Sequence, residues 1–297
     1  MNASTLQRLY GNAVPTRRFE AVSADGTRLA VQEWGRSDGP TLLFLHAWSQ
    51  SHLGWAPQLQ GALASEFRLI TFDQRGHGES DRPNAIEAYT DNTRWADDVK
   101  AVVDAAGIDR AVLVPWSLGG VVALDYVARH GEDKVVGIAF VAAGNTIGTE
   151  RAATHFGAAV GAHAQNALSP ELRTRLEGLL RLQQALVYRE LSIEDFGELV
   201  TQAIAASPTA RAGWLSRNVD HEATLRALCA PILLVHGDED AILTRRASED
   251  VQRFSPQAKA TWYAGAGHAP HFEDPERFDC ELAVFARAAF AMPYGRR

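Results

Sequence analysis

The segment Val112-Leu113-Val114-Pro115-Trp116-Ser117-Leu118-Gly119-Gly120 runs an apolar stretch into a serine, then into small residues, then into an amphipathic stretch. That order puts a hydroxyl on a sharp strand-to-helix turn, where the neighbours must be small because two backbones approach closely. A serine is a weak nucleophile until a base takes its proton, and the base needs a group to orient it. Gly265-Ala266-Gly267-His268-Ala269-Pro270-His271 offers His268 as the base, in a glycine-containing loop. His236-Gly237-Asp238-Glu239-Asp240 offers the orienting acid, with Asp240 and Asp238 in competition. Ser117, Asp240 and His268 each follow a different apolar run. The chemistry of such a set is acyl transfer through a covalent intermediate. Pro115 departs from the usual G-x-S-x-G pattern, since it fixes φ and removes a donor at the end of the strand.

These residues need a scaffold that brings three chain segments to one edge. Thr41–His46, Arg68–Phe72, Ala111–Val114, Val136–Val141 and Ile232–Val235 are continuous apolar runs. Runs without alternation predict strands buried on both faces, as in a parallel sheet. Ala260–Tyr263 reads as a weaker last strand. Phe19–Val22 and Arg28–Trp34 read as a hairpin through Ala24-Asp25-Gly26. Helix-like segments intervene at Trp55–Ala64, Asn92–Ala106, Leu118–His130, Thr244–Arg253 and Pro275–Phe290. In the second of these, Trp95, Val99, Val102 and Val103 share one face. Strands alternating with helices predict an α/β fold with a doubly wound, mostly parallel, eight-stranded sheet. In such sheets, sites lie at the carboxyl ends of the strands.

Residues 145–222 break the alternation. Leu172, Leu176, Leu179, Leu180 and Leu182 recur at helical spacing, followed by Phe196–Ile204. The segment is expected to be a helical cap of about four helices. It divides the chain into a first core part (1–144), the cap or lid (145–222) and a second core part (223–297).

The net charge of −7, with no Lys/Arg run, argues against nucleic acid as a partner. Met1–Phe19 has no apolar run like a signal-peptide core, and nothing hydrophobic follows Arg17-Arg18. No stretch has the length of a membrane span. The expectation is a soluble, cytoplasmic protein with no membrane contact and a small-molecule substrate; a homodimer is compatible with the chain. Cys229 and Cys280 are expected to be buried free thiols. No Cys/His cluster has metal-site spacing, so no metal and no cofactor is expected.

The chain resembles the α/β-hydrolase superfamily, in the branch of esterases, lactonases (including 3-oxoadipate enol-lactone hydrolases) and non-haem haloperoxidase-like perhydrolases. Besides the serine turn, the resemblance rests on His46-Ala47-Trp48 and on Phe72-Asp73-Gln74-Arg75-Gly76-His77-Gly78-Glu79-Ser80. It covers roughly 19–140 and 231–290. It selects Asp240 over Asp238, and it implies an oxyanion hole made by the Trp48 and Leu118 amides. It implies hydrolysis of a carboxylic ester or lactone, with structural roles for His46, His77 and Asp73. Ala47 stands where the family usually has glycine, and would be strained if that position required positive φ. Relatives that are haloalkane dehalogenases or epoxide hydrolases carry Asp at the nucleophile position, so Ser117 argues against those activities. Carbon–carbon bond hydrolysis, cofactor-independent dioxygenation, perhydrolysis and a small-molecule receptor role remain as alternatives. Trp116, His52, Trp214 and His271 are candidate pocket residues, and the Leu- and Ala-rich cap favours a small or medium apolar substrate.

Overall fold

The computed structural model describes residues 14–292. The N-terminal stretch read above for a leader signal lies largely outside them. The strands are β1 (Arg17–Val22), β2 (Arg28–Gly35), β3 (Thr41–Leu45), β4 (Arg68–Phe72), β5 (Ala111–Pro115), β6 (Val135–Val141), β7 (Thr146–Ile147), β8 (Val219–Asp220), β9 (Ile232–Gly237) and β10 (Lys259–Tyr263). Eight of them form one sheet in the order β1-β2-β4-β3-β5-β6-β9-β10. β2 runs antiparallel to β1 and β4, and every other neighbouring pair is parallel. Arg17-Arg18 belongs to β1, opposite Glu33 and Gln32. The eight strands expected from the sequence are all present.

The apolar runs have a physical reason. Along β3, Leu43 and Leu45 join one hydrophobic cluster while Leu42 and Phe44 join the other. Both faces of the central strands are therefore dry, and neither set of alternating positions can be polar. β10 lies at the edge and is only partly buried, which accounts for its weaker pattern.

The helices are α1 (Ala56–Gln60), α2 (Leu63–Glu66), α3 (Glu87–Thr90), α4 (Asn92–Ala105), α5 (Gly119–His130), α6 (Glu150–His155), α7 (Ala158–Ala167), α8 (Leu172–Gln184), α9 (Ile193–Ala205), α10 (Pro208–Leu215), α11 (Glu222–Ala227), α12 (Arg246–Phe254), α13 (Pro270–Glu273) and α14 (Pro275–Ala291). α4 and α5 pack in one cluster, and α14 packs in the other. The expected face of α4 is buried: Trp95, Val99, Val102 and Val103 are each at most 2% exposed.

Three features differ from the sequence reading. The segment Trp55–Ala64 is broken into a 3-10 turn (His52–Trp55) and α1, with α2 beginning at Leu63. The stretch 145–222 holds five helices, α6 to α10, rather than about four, and a two-residue antiparallel ribbon, β7 with β8, pairs its two ends. α6 is a short helix capped by the Thr149 side chain, too brief to show a periodic face in the sequence. Both cysteines are free and exposed, not buried. Neither sits on a core-facing position: Cys229 lies in the turn before β9, and Cys280 on the outer side of α14.

The serine turn is built by close backbone approach. A Cβ on Gly119 would lie 2.7 Å from the Leu45 carbonyl oxygen, and one on Gly120 would lie 2.4 Å from that of Gly144. At Gly120 the Gly144 backbone and the Ala143 Cβ stand in the way, so Gly120→Ala pushes the start of α5 away from the loop that follows β6. We expect it to lose about 1–3 kcal/mol of unfolding free energy, read as a lower urea midpoint with an unchanged m value.

Candidate active site

Ser117, Asp240 and His268 follow the carboxyl ends of β5, β9 and β10, which brings them to one edge of the sheet. Ser117 sits at φ +56°, a left-handed conformation rare for a residue with a side chain. Backbone bonds hold it there: Trp116 N–H to Leu45 O (2.9 Å), Ser117 N–H to Val141 O (2.9 Å) and Gly144 N–H to Ser117 O (2.9 Å). Pro115 is the last residue of β5, opposite Leu45, and the turn beyond it forms all the same.

The Ser117 hydroxyl lies 2.7 Å from His268 Nε2, and His268 Nδ1 lies 2.7 Å from Asp240 Oδ2. Nδ1–H donates to the carboxylate, which leaves Nε2 to accept the hydroxyl proton. Ser117 and His268 are buried, and the Asp240 side chain is buried as well. Asp240 Oδ1 accepts the Ile242 and Leu243 amides at 2.8 and 2.9 Å. Burial alone would raise the Asp240 pKa. The facing His268 ring and the hydrogen bonds from His236 and His268 outweigh it and hold the carboxyl well below the usual carboxylate range. Asp238 instead pairs with Arg245 at 3.1 Å on the surface side.

Several supporting residues carried no distinct signal in the sequence. His236 Nε2 lies 3.1 Å from Asp240 Oδ2 and 2.8 Å from Leu243 O, while its Nδ1 meets the Ser248 hydroxyl at 2.8 Å. Glu273 accepts the Gly267 amide, next to the histidine, and the Tyr188 and Arg189 amides between α8 and α9. Gly237 lets the acid loop touch the histidine loop, since a Cβ there would lie 2.1 Å from the Gly267 carbonyl oxygen.

Trp48 and Leu118 both border Ser117. Among the described residues, neither backbone N–H donates to a protein acceptor. Ala47 carries no strain; the positive φ (+59°) falls on Ser49, whose amide donates to His77 Nε2 at 3.3 Å. His46 Nδ1–H donates to Ala47 O, and its Nε2 accepts the Gln74 amide. His77 Nδ1–H donates to Arg75 O. Burial depresses His46 to about 4 and His77 to about 3, so both rings are neutral props of the loop. Asp73 accepts the His52 amide, the His52 ring and the Glu79 amide.

The cavity at Ser117 measures about 60 Å³ and is lined by the serine turn and loop 47–48 below, by Phe156, Val160, Ala164, Leu182, Gln183, Leu186 and Leu215 from 145–222, and by Ile242, Leu243 and His268. None of the four pocket candidates lines it. The Trp116 indole turns away and donates to His268 O at 2.8 Å, bracing the histidine loop. His52 is committed to Asp73. His271 is buried against Trp55 and donates to Gly54 O. Trp214 packs in the core edge-on to Trp95, under the Arg217 guanidinium. A larger groove of about 780 Å³, between α1, α2 and α14, touches none of Ser117, Asp240 and His268.

The α/β hydrolase fold family model matches residues 40–275, and the chain belongs to that family. An esterase from a Rhodococcus species is 34% identical, with a TM-score of 0.86 over 92% of this chain and 99% of that one. A putative aryl esterase from Burkholderia cenocepacia is 31% identical, with a TM-score of 0.85 over 93% and 100%. The bifunctional esterase/perhydrolase DCH of Acinetobacter calcoaceticus is 24% identical over 89% of this chain and 98% of its own. The protein is thus an α/β-hydrolase-fold enzyme with esterases and haloperoxidases among its relatives. Among the described residues, no helix is long and apolar enough to cross a membrane.

The depressed histidines have a pH consequence. In the unfolded chain they take up protons near pH 6.5, but in the native state His46 resists until about pH 4. The unfolded state therefore binds more protons across that window, and stability falls as pH drops from 6.5 toward 4. Urea unfolding at several pH values should show this slope, and His46→Asn should flatten it.

Proposed function

We propose that the protein is a serine hydrolase that cleaves a carboxylic ester or lactone of a small, largely apolar substrate. The observation that carries this reading is the unbroken hydrogen-bond chain from the Ser117 hydroxyl through His268 to Asp240, with both links at 2.7 Å. Ser117 Oγ attacks the carbonyl carbon while His268 Nε2 takes its proton. Asp240, already ionised, holds the imidazole in the right tautomer and stabilises the imidazolium that forms. The oxygen that gains charge sits between the Leu118 and Trp48 amides, whose N–H groups are uncommitted; each such donor is worth roughly 3 kcal/mol to the transition state. His268 then protonates the leaving alcohol. Water enters, loses a proton to His268 and releases the acid from Ser117.

Residues 145–222 act as a cap in this account. They supply most of the apolar wall over the serine, which excludes water and selects the acyl chain. A cavity of about 60 Å³ has room for an acetyl-sized group. Longer acyl chains then require the cap helices to shift.

Hydrolysis of p-nitrophenyl acetate tests the reading. Ser117→Ala is expected to lower kcat/KM by ~10³-fold or more, and Asp240→Asn to lower kcat by on the order of 10³–10⁴-fold with the fold retained. Acetate should be turned over faster than butyrate. An inert wild type, or a Ser117→Ala variant as active as wild type, would overturn it in favour of a receptor or oxygenase role.

A further inference from the structure

We propose that Gln183 is a specificity-determining residue that donates an amide N–H to a second oxygen on the substrate. Its preferred substrates are then short esters or lactones bearing an ether, hydroxyl or keto oxygen beside the reacting carbonyl. The inference rests on the acyl-transfer reading and deepens it by naming a substrate class.

Gln183 lies near the C-terminal end of α8, and its side chain borders the same cavity as Ser117 and His268. It is 2% exposed. Its neighbour Gln184 is exposed and bonded to Arg181, an ordinary surface glutamine. Apart from Ser117 and His268, the walls around Gln183 are aliphatic or aromatic; the polar end of Trp48 is turned to Arg211 O. Among the described residues that line the cavity, Gln183 is thus the one with a polar side chain that the catalytic sequence does not use and no other group turns away.

Its orientation is fixed from behind. Gln50 is fully buried in the loop that carries Trp48, and its Nε2 donates to Gln183 Oε1 at 2.7 Å. With its oxygen engaged there, Gln183 Nε2 has no acceptor among the described residues, on a residue that lines the cavity; Gln50 Oε1 behind it is buried without a partner. A buried amide N–H without an acceptor is unfavourable. Apolar ligands leave it unpaired, whereas a ligand oxygen satisfies it. A site arranged in this way discriminates strongly against an analogue that lacks the oxygen. The same bond joins the cap helix to the loop of the Trp48 amide, so a ligand seated on Gln183 is registered against the oxyanion position.

The test uses isosteric pairs in which one methylene becomes oxygen. p-Nitrophenyl methoxyacetate is compared with p-nitrophenyl butyrate for the acyl side, and 2-methoxyethyl acetate with butyl acetate for the alcohol side. The ratio of kcat/KM within a pair is measured for wild type, Gln183→Met and Gln183→Leu. In one pair the ratio is expected to fall at least tenfold in both variants, which removes the difference in intrinsic ester reactivity. Unchanged ratios in both pairs overturn the proposal. A second readout needs no turnover: the side-chain NH₂ resonances of Gln183, assigned by their loss in Gln183→Met, are followed in Ser117→Ala on titration with methyl methoxyacetate and methyl butyrate. A shift with the first ester only supports the proposal, and equal or absent shifts contradict it. If neither ester is hydrolysed by wild type but the resonance shift is seen, the acyl-transfer reading fails while the recognition by Gln183 stands.

Discussion

The structure turns on one strained residue. A side-chain-bearing residue at positive φ costs of order 1–3 kcal/mol and persists only where its surroundings leave no alternative. At Ser117 those surroundings are the Leu45 and Val141 carbonyls, the Gly144 amide, and the absence of a Cβ on Gly119 and Gly120. β3, β5 and β6 must therefore be in register before the serine can be presented. In return the hydroxyl projects from the sheet edge, with the start of α5 directly behind it. A relaxed serine in the same segment would lie along the strand and point into the core.

The same edge solves a second problem, which is to keep an ionised carboxylate in a dry place. Asp240 is buried, but it accepts two backbone amides and faces His268, and these interactions outweigh the cost of burying it charged. The buried histidines around the site are left without charge. Burial drives His46, His77 and His271 neutral; both ring nitrogens of His46 and His77 meet backbone groups, and His271 meets one through Nε2. They are hinges and braces for loops, and Trp116 and Glu273 do similar work on the histidine loop from two sides. Glu273 also ties that loop to the segment between α8 and α9.

How much of this was legible in the sequence follows from what each residue must satisfy. The central strands announced themselves because both faces are dry, and the serine turn because its glycines answer a local steric demand. That Ser117, His268 and an acid of the 238–240 loop come to one edge was legible from the strands they follow, whereas the choice of Asp240 over Asp238 came from the family resemblance. The pocket was not. Tryptophan fits a core as well as a cavity wall, and Trp116 and Trp214 proved to be core. The actual wall comes from Phe156, Val160, Leu182 and Leu186, whose exposure to the cavity depends on how five short helices pack over the serine. Nothing in the local pattern of α8 separates Gln183 from Gln184; only tertiary packing buries one and exposes the other. The exposed cysteines were misjudged for a similar reason, because a residue-type preference says little at a turn or on the outer face of a helix.

The central claim is that Ser117 is acylated and then released. Rapid mixing of the wild-type enzyme with excess p-nitrophenyl acetate, followed by acid quench and peptide mass mapping, tests it most directly. The account predicts a p-nitrophenol burst whenever deacylation is the slower step, and an acetyl group on the peptide that contains Ser117 at early times. Steady turnover with no acetyl group on that peptide at any time, or acetylation of a different residue that tracks turnover, would contradict it.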